Sequence, residues 1–192
     1  MALGSLVSIA ASTFNRVMVV ELSLLQIIPG LLLALHYFIQ ISRPNWGFLS
    51  DKGGNRTFWI IIGVIILCLG SVLACIGILL IPENYLFGLT ISIFAYTLIG
   101  IGVGASGTSL LAFLATRTDN SKKAAAATIT WIMMIFGAAF TAIFVGKIID
   151  PYSIEKLLKI VTVISLFWII TSFITCLLYT SPSPRDLSTS RM

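Results

Sequence analysis

Six long apolar stretches, each closed by a few polar or turn-forming residues, organise the chain. A helix needs roughly 20 apolar residues to cross a hydrocarbon core of about 30 Å. The first stretch runs from Ala2 to Val20 and the second from Leu22 to Ile41. The second should stop at Arg43-Pro44, because a proline disfavours helix in the residue before it. The third spans Thr57 to Ile81 and ends at Pro82-Glu83-Asn84; the fourth spans Tyr85 to Ala115. The fifth follows Lys122-Lys123 and runs to Ile149, and the sixth starts near Ile154 and is still apolar at Thr175. The pattern predicts an all-α polytopic transmembrane helix bundle of about six spans.

Composition sharpens the class. Of 192 residues, 58% are hydrophobic and 10% charged, against about 25% charged in soluble domains. A chain this short cannot hide so much apolar surface in one water-facing core. That excludes a soluble enzyme, a nucleic-acid-binding module and a secreted disulfide scaffold, and makes the lipid bilayer the first partner. The net charge of +5 sits mainly in short connections. Arg43, Lys52 and Arg56 between the second and third stretches share a side with Arg117, Lys122 and Lys123. The other side holds Glu83, Lys147, Asp150, Glu155, Lys156 and Lys159. The excess of Lys and Arg puts the first set in the cytoplasm, together with the N-terminus. Cys68 and Cys75 share a helix face about 10 Å apart, too far to bridge, and read as small hydrophobes.

Both ends break the pattern. The first stretch opens at Met1 with no basic lead, which argues against a signal peptide and makes Met1 an expected internal methionine. From Cys176 to Met192 the chain reads Cys-Leu-Leu-Tyr-Thr-Ser-Pro-Ser-Pro-Arg-Asp and onward. That string resembles the in-frame translation of a transposase-type sequencing adapter; a natural Ser/Pro-rich tail is the alternative. The expected organisation is therefore one six-helix unit over 1–175 and a non-native tail over 176–192.

The connection after the second stretch reads Gly47-Phe48-Leu49-Ser50-Asp51-Lys52-Gly53-Gly54-Asn55-Arg56. Gly47, Leu49, Asp51, Gly54 and Arg56 match the signature loop of the major facilitator superfamily, which this segment resembles; Lys52 stands for an arginine there and Asn55 departs from the basic consensus. Glycines let a short link reverse the chain, and Asp51 among Arg43, Lys52 and Arg56 should stay ionised and pin the loop to helix ends. In that superfamily the loop latches two halves in one state of the transport cycle. An ordinary positive-inside turn with a charge pair would look the same.

Longer stretches narrow the resemblance: Asn15-Arg16-Val17-Met18-Val19-Val20-Glu21-Leu22, Ala34-Leu35-His36-Tyr37, the glycine-rich run from Gly100 to Ala112, Ala124 to Met134, and Asp150-Pro151-Tyr152-Ser153. In this order they are similar to the PucC-like bacteriochlorophyll delivery family, a branch of that superfamily. The resemblance implies about twelve spans in two halves, with this chain holding about the first six. It implies a non-enzymatic role in light-harvesting antenna assembly, with bacteriochlorophyll as cargo and antenna polypeptides as partners. One half cannot enclose a path between two halves, so the chain alone is expected to be inactive. The rivals are a small-molecule secondary transporter of the same fold and a non-transporting antenna assembly scaffold.

Individual residues carry two readings each. Gly100, Gly104 and Gly107 make a small-residue surface for a tight helix crossing, or a smooth cavity wall. Arg16 lies near the outer end of the first stretch, roughly 140° around the helix from Glu21. It either snorkels to the interface or pairs with a group on another helix, as intramembrane charges at functional sites do. His36, mid-span in the second stretch, is either a polar helix contact alongside Tyr37 and Gln40 or, given the resemblance, an axial ligand for pigment magnesium. Trp46, Trp59 and Tyr85 read as interface anchors, and Trp131, Met133 and Met134 as core. No catalytic or metal-ligating constellation stands out.

Overall fold

A computed structural model describes residues 1–52 and 55–180, with side chains through 176. Gly54 of the signature loop and the tail from 181 lie outside the described residues. Helix α1 is Ala2–Glu21, with wide π-type turns at Ile9–Thr13 and Val17–Glu21. Helix α2 is Ile27–Ile39; a 3-10 turn, Gln40–Ser42, joins it to α3, Arg43–Lys52. Then follow α4 (Arg56–Leu80), α5 (Tyr85–Arg117), α6 (Lys123–Ile148) and α7 (Ile154–Thr180). Among the described residues there is no strand. The helices α1, α4, α5, α6 and α7 are each long and apolar enough to cross a membrane. The chain is a multi-pass all-α membrane protein.

The second pass departs from expectation at both ends. It begins at Ile27 instead of Leu22, after a stretch in which Ser23 takes a φ of 51°. Pro29 sets that start. It lacks an N–H and fits the first helical turn, but inside a helix begun at Leu22 its ring would meet the carbonyl one turn earlier. Nor does the helix end at Arg43-Pro44. The chain tightens to the 3-10 turn and resumes as α3, with Pro44 again in a first turn where a missing N–H costs nothing. The segment Gly47 to Lys52 is therefore helical, not a loop.

The tightest seam in the bundle joins α4 and α5. Gly63, Gly70 and Gly77 recur every seven residues on α4, and Gly88, Ala95 and Gly102 do so on α5. A Cβ on Gly63 would lie 2.5 Å from the Ser106 nitrogen, one on Gly70 2.9 Å from the Ile99 nitrogen, and one on Gly102 2.6 Å from the Leu67 nitrogen. A seven-residue repeat keeps one face turned to its neighbour. Because lipid is as apolar as leucine, close backbone approach, not hydrophobic burial, draws such helices together. Buried Ser71, Ser92 and Ser106 donate back to the carbonyls of Leu67, Gly88 and Gly102 on their own helices, which pairs these three hydroxyls without a partner across the seam. Asn55 and Asn84 start the two helices by accepting from the Phe58 and Phe87 backbone N–H groups.

The other helices dock on this pair. Tyr96 of α5, fully buried, donates to the Ala10 carbonyl at 3.0 Å within the first π turn of α1. Small polar residues seal α1 against α6: Ser5 Oγ and Thr141 Oγ1 lie 2.7 Å apart and Ser8 donates to the Ala138 carbonyl. Cys68 of α4 donates to the Ser165 carbonyl of α7 at 3.4 Å, and both Cys68 and Cys75 are free thiols. α6 and α7 keep most of their surface outward, including Phe136, Phe140 and Phe144 stacked along one face.

Substitution along the α4–α5 seam should therefore be costly where a glycine with open space beside it is tolerant. Gly102→Val is expected to lower stability by about 1–3 kcal/mol or more, while Gly146→Ala, whose added Cβ meets nothing within 4 Å, leaves it unchanged or raised. Thermal unfolding in detergent measures both; equal melting temperatures would remove the seam from its central place.

Candidate functional site

Four helices surround a cavity of about 450 Å³, within the range of small-molecule sites. Leu3, Val7 and Ala11 of α1 line one side and Trp131, Met134 and Ala138 of α6 another. These follow each helix at intervals of three or four residues, so each helix offers one continuous face. Val103, Gly107 and Leu110 of α5 add a third apolar wall. The fourth wall is polar: His36, Tyr37 and Gln40 of the second pass, and Arg43 at the start of α3.

That polar wall is a chain of hydrogen bonds. An Arg43 guanidinium nitrogen donates to Gln40 Oε1, and Gln40 Nε2 stands 2.9 Å from His36 Nε2. His36 is 1% exposed and its Nδ1 has no hydrogen-bond partner among the described residues. The Tyr37 ring meets the imidazole edge-on, with centroids 4.8 Å apart. Below them Ser42 accepts from the Trp46 indole N–H and donates to the Ile39 carbonyl. The 3-10 turn thus brings Arg43 to the cavity, although Pro44 marks it in the sequence as a loop cation.

A second cavity of about 460 Å³ lies beside the first, reaching Trp168, Thr171 and Ser172 of α7. Leu3, Leu110 and Thr130 line both.

The glycines singled out in the sequence separate in space. A Cβ on Gly100 would come 2.8 Å from the His36 carbonyl, so it seats α2 against α5 behind the polar wall. A Cβ on Gly104 would come 3.3 Å from the Trp46 indole, and Gly107 borders the cavity with little against it. The α4–α5 contact itself uses Gly102 and Ser106, one helix face away. Trp131 and Met133 are not core: they are 53% and 44% exposed, and Trp131 and Met134 border the cavity.

The charged residues close the two ends of the bundle. Arg56 of α4 reaches two other helices: it donates to Asp51 Oδ1 of α3 at 2.7 Å, and to the Ala112 carbonyl at 2.6 Å and Thr116 Oγ1 at 2.7 Å of α5. A cation beside the C-terminal part of α5 also lies toward the negative end of that helix. Gly47 packs on Thr108 of α5, whereas Leu49 points outward. At the opposite end Arg16 donates to Asp150 Oδ1 at 2.7 Å, joining the end of α1 to the connection between α6 and α7. Arg16 is thus paired with another element and still half exposed. Nearby, burial raises the Tyr152 hydroxyl above its usual range, with Cys75 and Glu21 adding to the shift.

The family model described as PUCC protein matches residues 13–190. The chain is 54% identical over 166 residues to the bacteriochlorophyll synthase 44.5 kDa chain of Rhodobacter capsulatus, covering 86% of this chain and 39% of that protein. It is 25% identical over 176 residues to Protein PucC of Cereibacter sphaeroides, covering 84% of this chain and 38% of that one. With Protein PucC of Rhodobacter capsulatus the identity is 24% over 170 residues, covering 82% and 37%. The chain spans about two fifths of the length of these curated relatives. No solved structure matches it.

The two ion pairs should differ in weight. Arg56→Ala removes three charge-assisted bonds from a half-buried site and is expected to cost about 1–3 kcal/mol. Arg16→Ala breaks an exposed pair and is expected to cost about 1 kcal/mol or less. Thermal melts of the two variants give the order, which the geometry says cannot be reversed.

Proposed function

The chain belongs to the PUCC protein family, and from that membership we propose that it serves bacteriochlorophyll delivery or light-harvesting antenna assembly in a photosynthetic membrane. The observation that carries this reading is its 54% identity to a protein named for bacteriochlorophyll. The cavity supports it: three apolar walls and one polar wall suit a mostly apolar molecule, or part of one, with a few polar groups. In this reading the chain binds and hands on pigment and performs no synthesis, although that relative's name contains the word synthase.

The unit acts as one half of a major-facilitator-type bundle in the bacterial inner membrane. Arg43, Lys52, Arg56, Lys122 and Lys123 lie toward one end of the helices, and the positive-inside rule makes that end cytoplasmic along with the N-terminus. A scaffold for antenna polypeptides is the second reading. The outward aromatic ladder of Phe136, Phe140 and Phe144 favours it, since transmembrane helices of a partner could pack there.

Deletion of the gene is expected to lower antenna content severalfold while sparing general solute uptake, as measured by membrane absorption spectra and uptake assays. Unchanged antenna absorption in that strain rejects the proposal. Affinity capture separates the two forms: pigment held without antenna polypeptides marks a carrier, and antenna polypeptides held without pigment mark a scaffold.

A further inference from the structure

The hydrogen bonds of the polar wall fix where the His36 proton sits. Arg43 carries only N–H donors, so the Gln40 atom it meets is the carbonyl Oε1. The Gln40 amide nitrogen, which only donates, then faces His36 Nε2 at 2.9 Å. Nε2 must accept, and a neutral imidazole with an accepting Nε2 carries its proton on Nδ1. A doubly protonated ring would turn a second N–H toward the same amide and set a cation near Arg43. The buried ring is therefore neutral, with an Nδ1–H donor that finds no acceptor among the described residues. An unpaired donor in a dry site is costly, and such groups call for an explanation.

We propose that His36 is a hydrogen-bond donor to a bound ligand, and that the cavity takes an elongated apolar molecule bearing a keto or ester carbonyl oxygen. The apolar lining from α1, α5 and α6 holds the body of the molecule, and the Nδ1–H of His36, which borders the cavity but is covered by its neighbours, meets one end of it after a small side-chain shift. Magnesium ligation, the reading the bare presence of a mid-span histidine invites, does not fit. The Nε2 lone pair is taken by Gln40 and the Nδ1 position is taken by the proton. The inference deepens the pigment reading, on which it rests for one of its two ligand sources: chlorophyll-type pigments carry keto and ester carbonyls, and so do the acyl esters of membrane lipids.

Three probes separate the possibilities on the full chain purified in an ester-free detergent: bacteriochlorophyll, its magnesium-free bacteriopheophytin, and a carbonyl-labelled phosphatidylcholine. Binding is followed by absorption or fluorescence, and the carbonyl stretch by infrared difference spectroscopy. The expected result is equal binding of the two pigments, with one carbonyl band moved to lower frequency. His36→Leu should abolish that shift and weaken binding roughly three- to tenfold, the share of one neutral hydrogen bond. His36→Asn, whose amide N–H group stands near the Nδ1 position, should keep the shift, while His36→Gln, which extends toward the Nε2 position, should lose it. That pair decides the matter even where the leucine variant does not fold. A shift on the phosphatidylcholine ester with no pigment binding keeps the donor role, makes the ligand a lipid and removes the pigment from this cavity. Pigment binding that requires magnesium, or no carbonyl shift with any probe, overturns the inference.

Discussion

In a lipid solvent no water pushes helices together, so the bundle depends on how closely backbones can approach. The α4–α5 seam answers that demand. Glycines at seven-residue spacing bring the two backbones into contact, and the serines between them bond back to their own helices. Everything else is positioned against this rigid pair. α1 is held to it by Tyr96, α2 by Gly100 and α7 by Cys68. The cavity lies where α1, α2, α5 and α6 face one another.

The same solvent dictates how polar groups are arranged. Several hydroxyls in the seams are satisfied within a turn of their own helix, as Ser71, Ser92 and Ser106 are, or by a facing hydroxyl, as Ser5 and Thr141 are. Charges are kept to the two ends, where Arg56 and Arg16 each tie separate elements together. Against that economy the wall of His36, Gln40 and Arg43 stands out. It sets a guanidinium, an amide and an imidazole in one hydrogen-bonded row, and all three residues border the cavity.

Much of this was legible in the residues. Long apolar runs closed by Pro82, Lys122 and Pro151 gave the helices, and the order of short segments gave the family. Pro29 and Pro44 were harder, because a proline ends one helix and opens another by the same chemistry, and only the position of the first turn distinguishes the two. The repeat of Gly63, Gly70 and Gly77 was visible, yet the eye is drawn to the denser Gly100, Gly104 and Gly107, and nothing local tells which glycine face meets which helix. The Arg16–Asp150 pair was half legible: a cross-helix partner was one of two readings for Arg16, but the partner lies in a separate segment far along the chain and nothing local points to it. Arg43 was hidden for a related reason. Read as a loop residue, it had no cause to bond with Gln40, and without that bond the state of His36 is undetermined.

Leu3, Leu110 and Thr130 border both cavities, so the barrier between the chambers is made in part of side chains and not of continuous main chain. A partition of that kind is soft. Rotation about a few single bonds, on the timescale of ordinary rotamer exchange, changes the room from two compartments to one without shifting any helix. The volume on offer is then a property of the guest as much as of the host, and a molecule with a broad head and a long tail can be housed by a frame that stays still.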